Sequence, residues 1–191
     1  MEKFNIEAFN RNKDGNNWVY TLPDGTKIRQ FGVAGTGFIE DKTPLQSAYT
    51  YRTLYNLQGY VIATGQQFYS FFTGIEKRYD GHGNLIEEKN RDEGFAFSVE
   101  DLAAKMLADY KIDILNSDNV YRLARGIQNV DPLVSSYIVD CYDLASPQPQ
   151  QAVISFLVDG TTGEVLHTIH TNTKEPASVL EAYQQRMATT K

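Results

Sequence analysis

Two segments of the chain, residues 55–62 (YNLQGYVI) and 79–86 (YDGHGNLI), share the pattern Y-[ND]-x-x-G-x-[VL]-I, 24 residues apart. The pattern has a mechanical reading. Backbone geometry sets the turn residues, and glycine supplies the positive φ that closes a tight turn. Each copy therefore reads as strand, turn, strand. Residues 74–90 form one hairpin around the turn Asp80-Gly81-His82-Gly83, and an equivalent hairpin precedes it. Consecutive hairpins pair with their sequence neighbours, which keeps loop closure short. The repeat thus constrains the first half of the chain to an antiparallel β-meander.

The flanking sequence extends this reading over residues 16–90. Residues 2–10 carry Phe4, Ile6 and Phe9 and suit a short helix or an edge strand. Residues 18–31 read as a hairpin turning at Pro23-Asp24-Gly25. Residues 32–37 (GVAGTG) space their glycines as G-x-x-G-x-G, which is not the dinucleotide fingerprint, and a turn is expected there. Residues 40–47 read as a loop. Residues 49–55 alternate Tyr, Tyr, Thr, Tyr against Thr, Arg, Leu, one aromatic face against a more polar one. Residues 67–72 read as a strand that turns at Thr73-Gly74.

The charged segment 90–94 (NRDEG) marks a domain boundary, with a β-hairpin repeat region over 1–94 and a smaller α+β region over 95–191. In the latter, Ser98 is an N-cap with Glu100 and Asp101 in the first turn. Val99, Leu102, Ala103, Met106 and Tyr110 then make one helical face, with the helix ending near Asp113. Residues 116–132 fit a strand, a short helix or an irregular crossing. Residues 134–142, 152–158 and 164–170 form a three-stranded meander, the middle strand apolar on both faces. The two-proline stretch 144–150 is a loop. A final helix begins at Pro176 and carries Val179, Leu180, Tyr183 and Met187. The helices are expected to bury one face of this sheet. The fold class is α+β.

Composition narrows function by exclusion. A net charge of −6 argues against a general nucleic-acid binder. The apolar run at 152–158 is too short to span a membrane, and residues 1–15 have no apolar signal core. One cysteine, Cys141, forms no internal disulfide and favours a reducing compartment. A cytoplasmic protein is expected. Chemistry-bearing residues do not converge. His167 and His170 lie at odd spacing on a strand and point apart, His82 sits in a turn, and Cys141 reads as a buried apolar residue. Neither a nucleophile motif nor a zinc, calcium or phosphate-loop spacing occurs. No enzyme, cofactor, metal or small-molecule substrate is expected. Glu87, Glu88, Asp92 and Glu93 read either as a solvated rim that discourages edge aggregation or as an acidic patch for a basic partner.

The repeat resembles the MORN-like hairpin repeats of bacterial antitoxin or immunity-type proteins. The order FNIEAFNRNK, YTLPDGTKIRQF, YTYRTLYN, GIEKRYDGHGNLIEEKNRDEGFAFSVEDL looks like a family of small immunity proteins of Bacteroidota, over roughly residues 3–105. The stretch 158–166 (VDGTTGEVL) is similar to the last hairpin of PepSY-type domains. The first resemblance implies an immunity protein that neutralises a cognate toxin, such as a nuclease effector of a type VI or related secretion system, by non-catalytic occlusion. The second implies a PepSY-like inhibitory or envelope-associated binding module. MORN repeats elsewhere contact lipids, but the acidic balance gives no basic patch for that, so no membrane partner is expected. Toxin binding would draw on aromatic anchors inside a polar rim. The residues so assigned are Tyr69, Phe72, Tyr79, Glu87, Glu88, Asp92 and Glu93.

Overall fold

A computed structural model describes residues 3–128, 134–143, 146, 152–172 and 178–189. The chain divides into two compact units at Arg91/Asp92. The first holds a helix, α1 (Ile6–Asn12), and seven strands: β1 (Asn17–Thr21), β2 (Lys27–Val33), β3 (Gly37–Thr43), β4 (Tyr49–Asn56), β5 (Val61–Phe68), β6 (Phe71–Tyr79) and β7 (Leu85–Asn90). The strands lie in sequence order in one antiparallel sheet, the expected meander.

The repeat explains its own turns. Asn56 Oδ1 accepts from the N–H groups of Gln58 and Tyr60, and Asp80 Oδ1 accepts from those of His82 and Asn84. Gly59 and Gly83 donate to Asn56 O and Asp80 O, at φ +82° and +91°. The first hairpin closes by the same backbone bonds, Leu22 N–H to Thr26 O and Gly25 N–H to Leu22 O. It is a third copy of the turn, hidden in sequence because Asp24, two positions later than Asn56 or Asp80, supplies the side-chain acceptor for Thr26 N–H.

Hydrogen bonds from the Asn84 side chain and backbone and from His82 N–H pull the Asp80 carboxyl down to about 2. A carboxyl depressed in the fold adds stability above its ordinary value of 3.8, lost as pH falls through about 2. Asp80→Asn copies residue 56 of the sister turn and keeps the Oδ1 acceptor. This variant is predicted to fold and to lose that acid-range dependence. Urea melts between pH 2 and pH 5 read it, and an unchanged pH slope contradicts the assignment.

α1 anchors one face of the sheet. Asn5 caps it through Ala8 N–H. Phe4 stacks on Phe38 at 4.5 Å, tilts against Phe9 and Tyr55 at 5.6 and 5.1 Å, and joins Val61, with Trp18, Ile6 and Tyr79 packed around the group. Each buried aromatic of this kind contributes about 1.5–3 kcal/mol.

The second unit holds α2 (Val99–Tyr110), β8 (Val120–Gln128), β9 (Val134–Tyr142), β10 (Val153–Asp159), β11 (Val165–Thr171) and α3 (Val179–Thr189), with a single 3-10 turn at Ser117–Asn119. Its sheet runs β11-β10-β9-β8, all antiparallel. Ser98 and Asp101 form a reciprocal capping box. The α2 face Val99, Leu102, Ala103 and Met106 is buried, and Tyr110 lies on Phe156 at 4.6 Å. Gly163, at φ +75°, lets the β10–β11 turn pass under Phe97, whose ring a Cβ would meet at 2.4 Å.

Several expectations are corrected. Residues 40–43 belong to β3, because the charges Glu40 and Asp41 are satisfied across strands by Gln30 and Arg52. The strand expected over 67–72 instead ends at Phe68, with Tyr69 at φ +51° in the turn, and Gly74 is a positive-φ bulge inside β6. α2 stops at Tyr110, capped by Lys111 at φ +61°. The second sheet has four strands, since residues 120–128 form β8. The helices flank that sheet on opposite faces. Tyr110 meets Phe156, while Tyr183 of α3 meets His167, whose cross-strand partner Leu157 points the other way. The helix start at Pro176, the stretch 129–132 and most of the loop 144–150 lie outside the described residues.

Candidate functional site: an arginine and aromatic array on the first sheet

Register alone brings a polar row together. Arg29 lies opposite Asp41, Asp41 opposite Arg52, and Arg52 opposite Gly65. These positions alternate with Phe38 and Tyr55, so the row occupies the face away from α1. Arg52 grips Asp41 with two parallel bonds, Nε to Oδ1 and Nη2 to Oδ2, both 2.7 Å. Asp41 is buried beneath this fork. Its hydrogen bond raises the Arg52 pKa further. The guanidinium planes of Arg29 and Arg52 also lie over the Phe31 ring, at 5.0 and 6.0 Å.

Beyond Gly65 the pattern repeats in β6 and β7. A Cβ at Gly65 would meet the Phe72 ring at 3.2 Å and Glu76 Cγ at 3.8 Å, so glycine lets both lie against the strand. Glu76 is buried and accepts from Arg91, with Nε at 2.6 Å and Nη2 closer still, and from Arg78 Nε at 3.2 Å. Burial pushes the Glu76 carboxyl up, but the bonds and charge of Arg91 and Arg78 outweigh it and the pKa falls below the ordinary value. Arg91 also stands over Phe72 at 5.5 Å. Arg78 reaches Glu87 at 3.5 Å. Two buried carboxylates thus hold arginines in fixed poses over two half-buried rings.

The expected site residues fall into different places. Phe72 lies in this array, and Glu87 joins it through Arg78. Tyr69 is in the β5–β6 turn, its ring 5.0 Å from Phe68. Tyr79 packs into the α1 cluster. Glu88 pairs with Lys77 at 3.1 Å. Asp92 and Glu93 belong to the second unit, where Asp92 pairs with Arg125 at 2.7 Å. Glu87, Glu88 and Asp92 therefore each face a base. Sequence reasoning passed over Arg29, Arg52, Arg78 and Arg91. The one local signal was Glu76 and Arg78, two apart on β6, whereas Arg29, Asp41 and Arg52 lie on three strands and meet only through register.

Other reactive groups stay apart. Burial, followed by the charge of Asp140, pushes the Cys141 thiol up to about 12, so it is inert. His170 is exposed and His167 meets Tyr183 at 6.3 Å. Among the described residues, no three His, Cys, Asp or Glu side chains could hold a metal ion, and no helix is long and apolar enough to cross a membrane. No family model matches the chain, and no curated protein or solved structure matches it.

Proposed function

We propose that this chain is a non-catalytic protein-binding protein of the immunity type, which neutralises a cognate bacterial toxin by covering the surface the toxin needs. The observation that carries this reading is the array itself. Arginine and aromatic side chains are enriched at the cores of protein interfaces, and arginine is among the few residues that dominate binding energy. Here Arg29, Arg52 and Arg91 are already ordered over Phe31 and Phe72, so a partner would lose little side-chain entropy in meeting them. The hairpin repeat supplies the second support, through its resemblance to immunity-type proteins, and a cytoplasmic setting goes with that role.

The test uses the toxin encoded beside this chain, as a catalytically inactive variant. Arg29 is exposed, and its replacement breaks no bond that holds the sheet. Arg29→Glu is predicted to weaken the complex by about thirtyfold, the effect of an interface hot spot. Calorimetric titration reads the change, with thermal unfolding of the variant as the control. An affinity unchanged by Arg29→Glu and also by Arg78→Glu removes the array from the interface.

A further inference from the structure

Charge is unevenly divided between the two faces of the first sheet. Register assigns each charged strand residue to one face or the other. The face that carries α1 holds Glu40, Lys42, Lys77 and Glu88. These pair off, Lys42 with Glu40 at 3.2 Å and Lys77 with Glu88 at 3.1 Å. The array face holds Lys27, Arg29, Arg52, Arg78 and Lys89, joined from the end of β7 by Arg91. Against these six bases stand three acids, Asp41, Glu76 and Glu87. One continuous face is therefore cationic in a chain whose net charge is −6.

The three acids do not cancel the excess. Asp41 and Glu76 are buried beneath the guanidiniums they hold, and Glu87 faces Arg78 at 3.5 Å. Lys27, Arg29 and Lys89 are exposed, and among the described residues no ion pair neutralises them. Lys27 and Arg29 stand two apart on β2, side by side on this face. Packing gains nothing from such like charges, which repel each other.

The rings select the kind of anion. Half-buried Phe31 lies under Arg29 and Arg52, and half-buried Phe72 under Arg91, so neither offers a bare face on which a base could stack. Residues 92–191 carry seven Lys and Arg against fourteen Asp and Glu, which disfavours a long phosphate backbone. A short run of carboxylates meets neither obstacle, and each can take two parallel bonds from a guanidinium edge.

We infer that the array face docks an acidic segment of the protein partner, its carboxylates meeting Lys27 and Arg29 on β2 and reaching across to Lys89 on β7. Those strands are five spacings apart, about 24 Å, which about seven extended residues span. The inference rests on the reading of the array as the partner-binding surface. It makes that partner acidic at the contact, the reverse of what the net charge of the chain suggests. Complementary charge would steer encounter and fix the partner's orientation.

The probe is a labelled oligoglutamate peptide of about ten residues, enough to cross the face. Oligoglutamine of equal length and an oligothymidylate of equal charge are the comparisons. Fluorescence anisotropy follows binding to the full chain at physiological salt, where distant charges are screened. Oligoglutamate is expected to bind more tightly than either. Lys27→Glu and Arg29→Glu are each expected to weaken it about tenfold. Arg11→Glu, the same charge change on exposed α1 at the other face, is expected to alter it less than about twofold. Absence of binding, equal binding of oligoglutamine, tighter binding of oligothymidylate, or equal weakening by Arg11→Glu overturns the inference. None of these outcomes uses the toxin, so a failure here and a failure of the immunity reading are separable.

Discussion

Gly37→Ala is expected to destabilise the first unit by about 3 kcal/mol, combining overpacking with a strained backbone. Gly37 opens β3 at φ +145°, where it pairs with both Val33 and Asn56. A Cβ there would lie 2.0 Å from Tyr55 O and 2.7 Å from the Asn56 carbonyl carbon. Both are backbone atoms of the first repeat turn, so no side chain can swing aside. Gly35 is the control, because its φ of +73° also disfavours alanine but nothing lies within 4 Å of its added Cβ. Gly35→Ala should cost only about 1 kcal/mol, the backbone term alone. Trp18 is the one tryptophan and lies in the first unit, so its fluorescence reports urea unfolding of that unit selectively. Equal losses for the two variants would mean that β3 does not run against the Tyr55–Asn56 corner.

Glu76→Gln should show the second largest effect, about 2 kcal/mol, below the full value for breaking a buried pair because Arg91 and Arg78 keep partial access to water. The sign with pH follows from the depressed carboxyl. Its stabilisation is complete above the ordinary carboxylate range near 4.5 and is lost as pH falls through the lower folded value. The variant should therefore lose stability at neutral pH and little at acid pH, narrowing the gap to the parent chain below about pH 4. Urea midpoints across pH 2.5–7 measure this. The variant should also loosen Arg91 from Phe72 and weaken partner binding beyond its stability loss, which a titration at neutral pH on fully folded protein would read. A pH-independent stability loss would remove Glu76 from its ionic role.

The meander was legible because two hairpins repeat one pattern, Y-[ND]-x-x-G-x-[VL]-I, whose glycine marks the turn, while the acceptor role of Asn56 and Asp80 emerges only in the fold. The third turn was legible only as a hairpin, since Asp24 does the same task from a different position. Where the sequence misled, long-range pairing had overridden a local cue. Glu40, Asp41 and Lys42 look like a loop until Gln30 and Arg52 satisfy the acids across strands. Tyr69 takes a left-handed turn, against residue preference, while Gly74 uses its positive φ in a bulge inside a strand and not in the expected turn. β8 was obscured by Arg125, whose side chain is only 5% exposed because it pairs with Asp92 and stacks on Phe95 at 4.7 Å. The array shares this origin. Phe72 could be nominated as an aromatic anchor, but the arginines of the array come from β2, β4, β6 and the residue after β7, and only Arg91 stands over Phe72. Their convergence depends on register, which no local pattern encodes.

The central proposal, that this chain neutralises a toxin by binding it without catalysis, is tested most directly by expressing the adjacent gene, which the proposal takes to encode that toxin, with and without this chain. The account predicts that growth is restored and that the two proteins elute together in gel filtration at equal stoichiometry, the toxin unmodified by mass spectrometry. Continued killing with no complex, or rescue accompanied by a covalently altered toxin, would contradict it.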